Sequence, residues 1–405
     1  MRKFNLSSSK IQTFILFAVI LTVVFFSYYP TLKNDFVFWD DDVYLYENIS
    51  VRSLDFEHVG DIFKSTVLKI YVPLTTLSFA VEHHFFKYDP FIYHLDNLLL
   101  HLGVVAFAFW LGLRLGLSVF GSGIAALLFG LHPMHVESVA WVTERKDVLY
   151  SFLYMASLLN YSHYLGFTKS TQSLQIRKSY RFLVLTFIFG ILSMLAKPMA
   201  LSLPLILLLL DWFHGRKIGR EAILEKVPLG LIIAGITWIS YVGHARIPGK
   251  NIVEGALIWA WTFVFYLRQF AFPVFSVPVY QLPKPIMISS LEYLLPVMAI
   301  GFLLLAVIRF RRHRWFIFAV AFYLFSIFFL LRYDEVKDTT IVADRFMYLP
   351  SLGLCFLAGA GWMSLVNNRL KRAVGILVIV LLGSWLSIKT HQQCQIWRGS
   401  ISLWE

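Results

Sequence analysis

The sequence predicts an all-α polytopic membrane protein. Of its 405 residues, 58% are hydrophobic and only 15% are charged, whereas soluble globular proteins average about half apolar and a quarter charged residues. Apolar runs long enough to cross about 30 Å of hydrocarbon recur from end to end, and a membrane β-barrel would instead show short alternating segments. Because backbone groups in lipid must be hydrogen-bonded internally, we expect these runs to be helices.

The first apolar run, residues 11–29, follows Arg2, Lys3 and Lys10 and has no small-residue cleavage site, so we predict an uncleaved span. Length and hydropathy predict about eleven spans in all. The other spans fall near 92–113, 119–134, 148–166, 182–197, 199–213, 228–245, 291–308, 315–332, 347–364 and 373–389.

One further segment, residues 256–276, is long enough to span but complicates the topology. Arg268, Pro273 and Pro278 interrupt it, and irregular backbone at membrane depth usually lines a polar cavity. We therefore predict a re-entrant helix. The alternative is that residues 228–245 do not cross fully.

Four short basic clusters set the predicted topology. They are residues 174–181, 214–220, 309–314 and 367–372. Basic residues concentrate in cytoplasmic loops, which places these clusters and the N-terminus in the cytoplasm. The net charge of +12 thus reflects topology and not nucleic-acid binding. A membrane-embedded domain over 1–390, a first extracytoplasmic loop with interfacial helices over 30–90, and an extracytoplasmic tail over 391–405 follow from this arrangement.

The stretch "FVFWDDDVYLYEN", residues 36–48, places Asp40, Asp41 and Asp42 inside an aromatic run on the predicted outer side. Adjacent carboxylates repel one another and prefer water, so a solvated turn is one interpretation. Flanking aromatic residues would instead anchor the acids at the membrane interface, where a carboxylate could act as a general base.

A second polar stretch, residues 128–150, lies on a predicted outward connection, and Pro133 is expected to end the helix before it. Its polar residues are His132, His135, Glu137, Glu144, Arg145, Lys146 and Asp147. They form either a pocket mouth or an ordinary exposed loop with i,i+3 pairs. The spacing from His132 to Glu137 hints at a metal but is not the H-E-x-x-H signature.

Other ionisable groups stand at the outer ends of predicted spans. Lys197 precedes a proline at an outward turn, and the segment 343–351 carries Asp344, Arg345 and Tyr348. An ionisable group at such a position is a candidate for a functional role. The alternatives are that Lys197 snorkels to the interface and that Tyr348 is an aromatic-belt anchor.

Residues 71–101 mix apolar and polar positions at helical spacing, which predicts interfacial helices that roof a cavity. At about 100° per residue, His94, Asn97 and His101 share one face of the second span, and we expect that face to turn inward.

Four motifs, in this order, carry a resemblance to a known family. They are "FVFWDDDVYLYEN", "LHPMHVESVAWVTERKDVLY", "LAKPMALSLPLILLLLDWF" and "ADRFMYLPSLG". Together they resemble the bacterial relatives of the transmembrane and tetratricopeptide repeat-containing proteins, members of the glycosyltransferase C superfamily whose animal members are protein O-mannosyltransferases. The segment "WRGSISLWE" resembles the lead-in to the first repeat, and no repeats follow it in this chain.

The resemblance implies a catalytic acidic pair, Asp40 and Asp41, with Asn48 matching a family asparagine. It also implies a polyprenyl-phosphate sugar donor, with mannose as one candidate sugar, a protein or surface-glycan acceptor, and a place in the inner (cytoplasmic) membrane. An inverting mechanism is expected.

The chemistry needs a base for the acceptor hydroxyl and cations for the leaving phosphate. We assign the base to Asp41, although the sequence does not separate it from Asp40, and the phosphate to Arg345, Lys197 and Arg145. A divalent cation, Mg²⁺ or Mn²⁺, held by Asp40 and Asp41 is a further hypothesis. The remaining predicted pocket residues are Asn48, His132, His135, Glu137, Asp147, Asp344 and Tyr348.

Two alternatives to an enzyme stay open. A transporter or flippase of lipid-linked sugars should show paired inverted repeats and charges near the bilayer midplane. The sequence shows no such symmetry, and its charges cluster towards one face. An inactive membrane scaffold is the other alternative, which an intact acidic pair disfavours.

Overall fold

The computed structural model describes residues 6–167, 173–242, 252–274, 276–332, 341–365 and 368–404. Within these ranges the chain is helical, and its β pairing is limited to one isolated bridge between Val67 and Ile70. The α-helices are α1 Leu6–Tyr28, α2 Phe56–Lys64, α3 Pro73–Phe86, α4 Pro90–Arg114, α5 Val119–Gly130, α6 Val136–Ala140, α7 Arg145–Phe167, α8 Ser173–Ala196, α9 Leu203–Phe213, α10 Arg220–Leu224, α11 Val227–Val242, α12 Ile252–Ala271, α13 Leu291–Arg309, α14 Arg314–Ile327, α15 Ser351–Leu365, α16 Arg369–Ile396 and α17 Ser400–Trp404.

Some predicted features reach beyond the described ranges. They are Arg2 and Lys3, the last three residues of the 228–245 span, Phe275 in the 256–276 segment, the first residue of the 367–372 cluster, and Glu405 in the tail.

The helices are those of a multi-pass membrane protein, as the sequence predicts. Among the described residues, five helices are long and apolar enough to cross a membrane: Lys10–Lys33, Pro90–Arg114, Arg220–Ile239, Leu291–Arg309 and Arg369–Ile396. Four shorter apolar helices accompany them: Tyr180–Ala196, Pro198–Phe213, Arg314–Leu330 and Ser351–Leu365. The all-α fold class is confirmed, while the number of eleven spans stays a prediction.

The predicted span 119–134 is a broken helix. The helix α5 ends at Gly130, and the chain bends by 54° before the helical segment Pro133–Ala140. The break falls where the sequence places Pro133, which has no N–H to donate and cannot continue a helix. The hydroxyl of Thr390, in α16, donates to the Leu131 carbonyl at the break over 2.7 Å. The bend directs residues 137–147 into the protein.

The helix within residues 256–276 is interrupted at fewer positions than the sequence predicts. The helix α12 is continuous from Ile252 to Ala271 and passes through Arg268, whose guanidinium lies 5.5 Å from the Phe265 ring centroid. The interruption expected at Arg268 is therefore wrong, because the charged head reaches past an aromatic neighbour without breaking the helix. The helix ends two residues before Pro273, and its re-entrant course stays a prediction.

The first loop folds back over one end of the helices, as expected for a roof over a cavity. We call residues 34–89 the lid. Its own small core includes Phe36, Tyr44, Ile62 and Phe79. The hydroxyl of Thr75, in α3, donates to the Ala196 carbonyl over 2.9 Å, which fixes the lid against the end of α8.

The inward face predicted for α4 is confirmed. His94, Asn97 and His101 are each fully buried. The Asn97 amide donates to three carbonyls of the bent region, at 3.2 to 3.4 Å. His101 contacts the Tyr348 hydroxyl at 2.6 Å. One polar stripe thus ties α4 to two other segments that reach the outer side.

The lid and the turn after α9 lie on opposite sides of the membrane if the basic clusters are cytoplasmic. A membrane-impermeant maleimide should therefore label Glu57→Cys, which is exposed on the lid, from outside intact cells. It should label Lys217→Cys, exposed after α9, only in inverted vesicles. The native cysteines Cys355 and Cys394 are buried and serve as the unreactive background. Labelling of both positions from the same side would contradict the topology.

Candidate active site

Three cations converge on one buried carboxylate at the end of the bent region. Glu144 closes the short helical turn 142–144, and its two oxygens face Lys146, Lys197 and Arg345. The Glu144 oxygens lie 3.2 Å from the Lys146 Nζ, 3.2 Å from the Lys197 Nζ and 3.4 Å from the Arg345 Nε. The side chain of Glu144 is 2% exposed, so these contacts replace its hydration. We call Lys146, Lys197 and Arg345 the cation cluster.

Two further carboxylates complete the charge balance of the cation cluster. Glu137 pairs with the Arg345 guanidinium and accepts the Arg345 backbone N–H at 3.0 Å. Asp147 lies 2.7 Å from the Lys197 Nζ. Because buried charges are tolerated only when paired and hydrogen-bonded, this reciprocal arrangement explains how six charges stand together beneath the lid. Arg345 retains the largest exposed fraction in the cluster, 16% of its side chain.

Arg145 and Lys146 are neighbours in sequence but lie in different places. Both begin α7, where successive side chains point about 100° apart. Arg145 reaches Glu82 of the lid at 2.5 Å and donates to the Asn97 side chain and the Tyr93 carbonyl, each at 2.7 Å. Lys146 instead faces Glu144. Arg145, expected at the phosphate, therefore supports the lid, and sequence reasoning missed Lys146 as a member of the cluster.

The carboxylates Asp40 and Asp41 have different surroundings. Asp41 is 1% exposed, and its two oxygens accept the backbone N–H groups of Val37 at 2.8 Å and Thr143 at 3.0 Å. Asp40 is half-buried, and within the described chain its carboxylate has no ion pair or side-chain hydrogen bond. Asp41 therefore fastens the acidic loop to the turn that carries Glu144, whereas Asp40 keeps its oxygens free.

The surroundings also shift the acidity of these groups. Burial raises the pKa of Asp40, and the positive charge of Lys146 opposes the rise. Burial raises the pKa of Asp41 to about 7 against the two backbone N–H bonds that favour its ionised form. The geometry also brings Asp40 near the cation cluster, because the Asp40 carbonyl accepts the Tyr44 N–H at 3.0 Å and the Lys146 Nζ lies 4.7 Å from the centroid of the Tyr44 ring.

The histidines predicted for the pocket join helices together. His132 stacks on Phe270 and contacts the Phe270 carbonyl at 2.9 Å. His135 uses both ring nitrogens, towards the Phe129 carbonyl at 2.8 Å and the Ser351 hydroxyl at 3.1 Å. Among the described residues, no group of three or more His, Cys, Asp or Glu side chains stands close enough to hold a metal ion.

The remaining predicted pocket residues lie around the cluster in supporting positions. Asn48 caps a helical turn of the lid by accepting the Ser50 N–H at 3.1 Å. Asp344, whose pKa burial raises to about 8, accepts the Tyr280 hydroxyl at 2.9 Å. Tyr348 is fully buried against His101. Thus the structure brings Glu137, Asp147, Lys197 and Arg345 together, while the described hydrogen bond of Asn48 stays within the lid.

Comparison with known proteins relates the chain to a family of membrane transferases. No protein-family profile matches it. It is 25% identical over 390 residues to the protein O-mannosyl-transferase TMTC3 of Mus musculus, covering 83% of this chain and 40% of that protein. It is also 25% identical over 397 residues to TMTC1 of Homo sapiens, covering 84% of this chain and 44% of that protein. The chain is a relative of the TMTC protein O-mannosyl-transferases. It thus spans about two fifths of the length of the curated relatives that it matches.

The fold of this TMTC relative has a solved counterpart. The crystal structure of the Archaeoglobus fulgidus oligosaccharyltransferase superposes with a TM-score of 0.54 at 13% identity, covering 94% of this chain and 55% of that one. At that identity the likeness concerns the fold alone. It agrees with the all-α membrane fold of the TMTC relative.

Substitutions of Asp40 and of Asp41 should affect the stability of the TMTC relative differently. Asp41→Asn replaces one acceptor oxygen with an amide that faces a backbone N–H, and leaving one buried donor unpaired costs about 1–3 kcal/mol. We expect a lower free energy of unfolding than in the wild type, measured by chemical denaturation in detergent. Asp40→Asn is the matched control and should unfold like the wild type. Equal stability of the two variants would contradict the fastening role of Asp41.

Proposed function

We propose that this chain is a polyprenyl-phosphate-dependent glycosyltransferase that acts on a hydroxyl acceptor on the extracytoplasmic side. The observation that carries the proposal is a free, half-buried carboxylate, Asp40, beside a cluster of two buried lysines and the partly exposed Arg345 beneath the lid. The kinship with proteins named O-mannosyl-transferases supports it and makes mannose the first sugar to test. A protein hydroxyl is the first acceptor to test for the same reason.

The proposed reaction is a single displacement. The acceptor oxygen attacks the anomeric carbon, and its proton passes to the Asp40 carboxylate. The bond between the anomeric carbon and the phosphate oxygen breaks, and the phosphate leaves with the electron pair. One displacement inverts the anomeric configuration. Asp40 is favoured over Asp41 because both oxygens of Asp41 already accept backbone N–H groups.

The cation cluster is suited to the leaving phosphate. Arg345 is its most exposed member and offers planar, paired donors, while Lys146 and Lys197 act as point charges. Arg145 takes no part in this proposal because Glu82, Asn97 and Tyr93 occupy its guanidinium. The carboxylates Glu137, Glu144 and Asp147 hold the cations in place before the donor arrives, which reduces the rearrangement needed in the transition state.

A divalent cation shared by Asp40 and Asp41 does not fit these residues. The oxygens of Asp41 are directed to the Val37 and Thr143 N–H groups. Of the two residues, Asp40 alone keeps oxygens without a hydrogen bond in the described chain, so a pair of bridging carboxylates is not preformed. We therefore assign no step of the reaction to a metal.

The direct experiment is sugar transfer by purified protein. The protein is incubated with a panel of polyprenyl-phosphate sugars, beginning with mannose, together with hydroxyl-bearing peptides and glycans. Mass spectrometry of the products identifies the sugar and the linkage. Movement of intact lipid-linked sugar across liposomes without any transfer product would replace this proposal with the flippase alternative.

Removing the proposed base should abolish most of the turnover. Asp40→Asn keeps the size of the side chain but cannot accept the proton, and loss of a positioned general base costs about a hundredfold to ten-thousandfold in rate. Donor binding should be retained, because the cation cluster is unchanged. Asp42→Asn is the neighbouring control and should be milder. Near wild-type transfer by Asp40→Asn would remove Asp40 from the mechanism.

The pH dependence of turnover is a second test of Asp40 as the base. A base must be ionised to act, so turnover should fall as the pH decreases through the pKa of Asp40, which burial raises. Lys146→Met removes the charge that opposes the rise and should move this acidic limb to higher pH. A pH profile that is the same in wild type and Lys146→Met would contradict the placement of Lys146 next to the base.

Arg345 should govern affinity for the donor phosphate. Arg345→Ala loses the charge and the paired donors, whereas Arg345→Lys keeps the charge, so the alanine variant should bind donor more weakly. The measurement is the dissociation constant for polyprenyl phosphate in detergent, with thermal stability followed in parallel. Arg268→Ala, a matched arginine in α12 outside the cluster, should bind as the wild type does.

A further inference from the structure

A stack of four tryptophans connects the acidic loop with the C-terminal segment, which we define as residues 394–404. Trp141 stacks on Trp397, with centroids 5.3 Å apart and planes 22° apart. On its other side Trp141 stacks on Trp39, at 5.0 Å and 24°. Trp39 in turn contacts Trp404 at 5.1 Å. We call Trp39, Trp141, Trp397 and Trp404 the tryptophan stack.

Hydrogen bonds fasten the same two segments together. The Asn34 side chain donates to the Cys394 carbonyl at 3.1 Å. The Asp35 N–H donates to the Arg398 carbonyl at 2.9 Å. The Phe38 N–H donates to the Ser400 hydroxyl at 2.9 Å. The C-terminal segment thus binds the backbone that leads directly into Asp40.

The tryptophan stack also reaches the cation cluster. The Trp141 ring lies 5.5 Å from the Arg345 guanidinium, and Trp141 precedes the turn that ends in Glu144. Trp39 immediately precedes Asp40 in the chain. Two stacked rings therefore separate the segment that carries the free carboxylate from the segment that carries Glu144 and Lys146, and rigid aromatic contacts fix such a separation well.

We propose that the C-terminal segment is a positioning element for Asp40, acting through Trp397, Trp404 and Ser400. It holds Trp39 against Trp141 and so sets the distance from the Asp40 carboxylate to the cation cluster. This inference rests on the proposed role of Asp40 as the base. Trp404 is a positioning residue, because its described ring contact is with Trp39 and not with the cluster.

The first test removes the exposed end of the tryptophan stack. Trp404 is 59% exposed, so Trp404→Ala should leave the fold intact. A misplacement of about 1 Å at a reacting group can cost about a hundredfold in rate. We expect kcat to fall by about tenfold to a hundredfold, with KM for the donor unchanged. Trp404→Phe keeps a ring against Trp39 and should retain most of the rate. Trp238→Ala, a matched 67% exposed tryptophan in α11, should have no effect.

The second test needs no catalysis. Hydrogen–deuterium exchange reports the amides of Asp35 and Phe38, whose acceptors belong to the C-terminal segment. Both should exchange faster in Trp404→Ala than in the wild type. Ser400→Ala removes a single hydroxyl acceptor and should speed the exchange of Phe38 alone, which supplies a variant with little risk to folding.

The outcomes separate this inference from the proposed function. Wild-type exchange and wild-type turnover in both Trp404→Ala and Ser400→Ala would overturn the positioning role. Slower turnover with a raised donor KM and unchanged exchange would also overturn it, because Trp404 would then contact the substrate. If the wild type transfers no sugar from any donor, the proposed function fails, and the exchange comparison still decides whether the segment holds the acidic loop.

Discussion

The arrangement beneath the lid depends on the contacts of one carboxylate, Glu144, with three cations. Each buried charge costs several kcal/mol to desolvate, and only close, reciprocal pairing offsets that cost. The partners come from α7, from the residue after α8 and from the turn before α15. Each of these segments must therefore end at the same depth. Prolines mark two of these ends, Pro198 directly after Lys197 and Pro350 directly before α15, and Pro133 stands at the bend that leads towards Glu144.

Irregular backbone beneath the lid follows from the same requirement. Side chains on continuous helices would spread along the membrane normal and would not meet at one carboxylate. Ending the helices early frees carbonyls, and groups such as the Thr390 hydroxyl at Leu131 satisfy them. Protein-buried breaks of this kind are tolerated at membrane depth, whereas lipid-exposed ones are not. The lid supplies the cover, and Arg145 with Glu82 joins it to α7.

The sequence predicts the fold class and the inward face of α4 because hydropathy and helical periodicity are local properties. It names Lys197 and Arg345 correctly as neighbours because ionisable groups at span ends are few. It cannot choose between Arg145 and Lys146, since both begin one helix and only the position of the lid separates their directions. Nor can it separate Asp40 from Asp41, because the Thr143 N–H that engages Asp41 lies 102 residues away in the chain. The contacting tryptophans of the stack are also more than 100 residues apart in the chain, so no local sequence pattern connects them.

Charge conservation gives the proposed arrangement its chemical sense. In the proposed reaction, the phosphodiester loses its sugar and gains one negative charge. Asp40 accepts a proton and so loses one negative charge. The total charge beneath the lid stays constant, and the negative charge moves from the acidic loop to the cation cluster. Lys146 is the member of the cluster whose charge acts most strongly on Asp40, and it lies 3.2 Å from Glu144. Lys146 can therefore stabilise the negative charge both on Asp40 before proton transfer and on the phosphate afterwards. This stabilisation lowers the reaction barrier most if the distance between the acidic loop and the cation cluster is held fixed. The tryptophan stack and the Asp41 bonds to Val37 and Thr143 provide that fixed separation, which is why the rigidity of the acidic loop matters as much as its acidity.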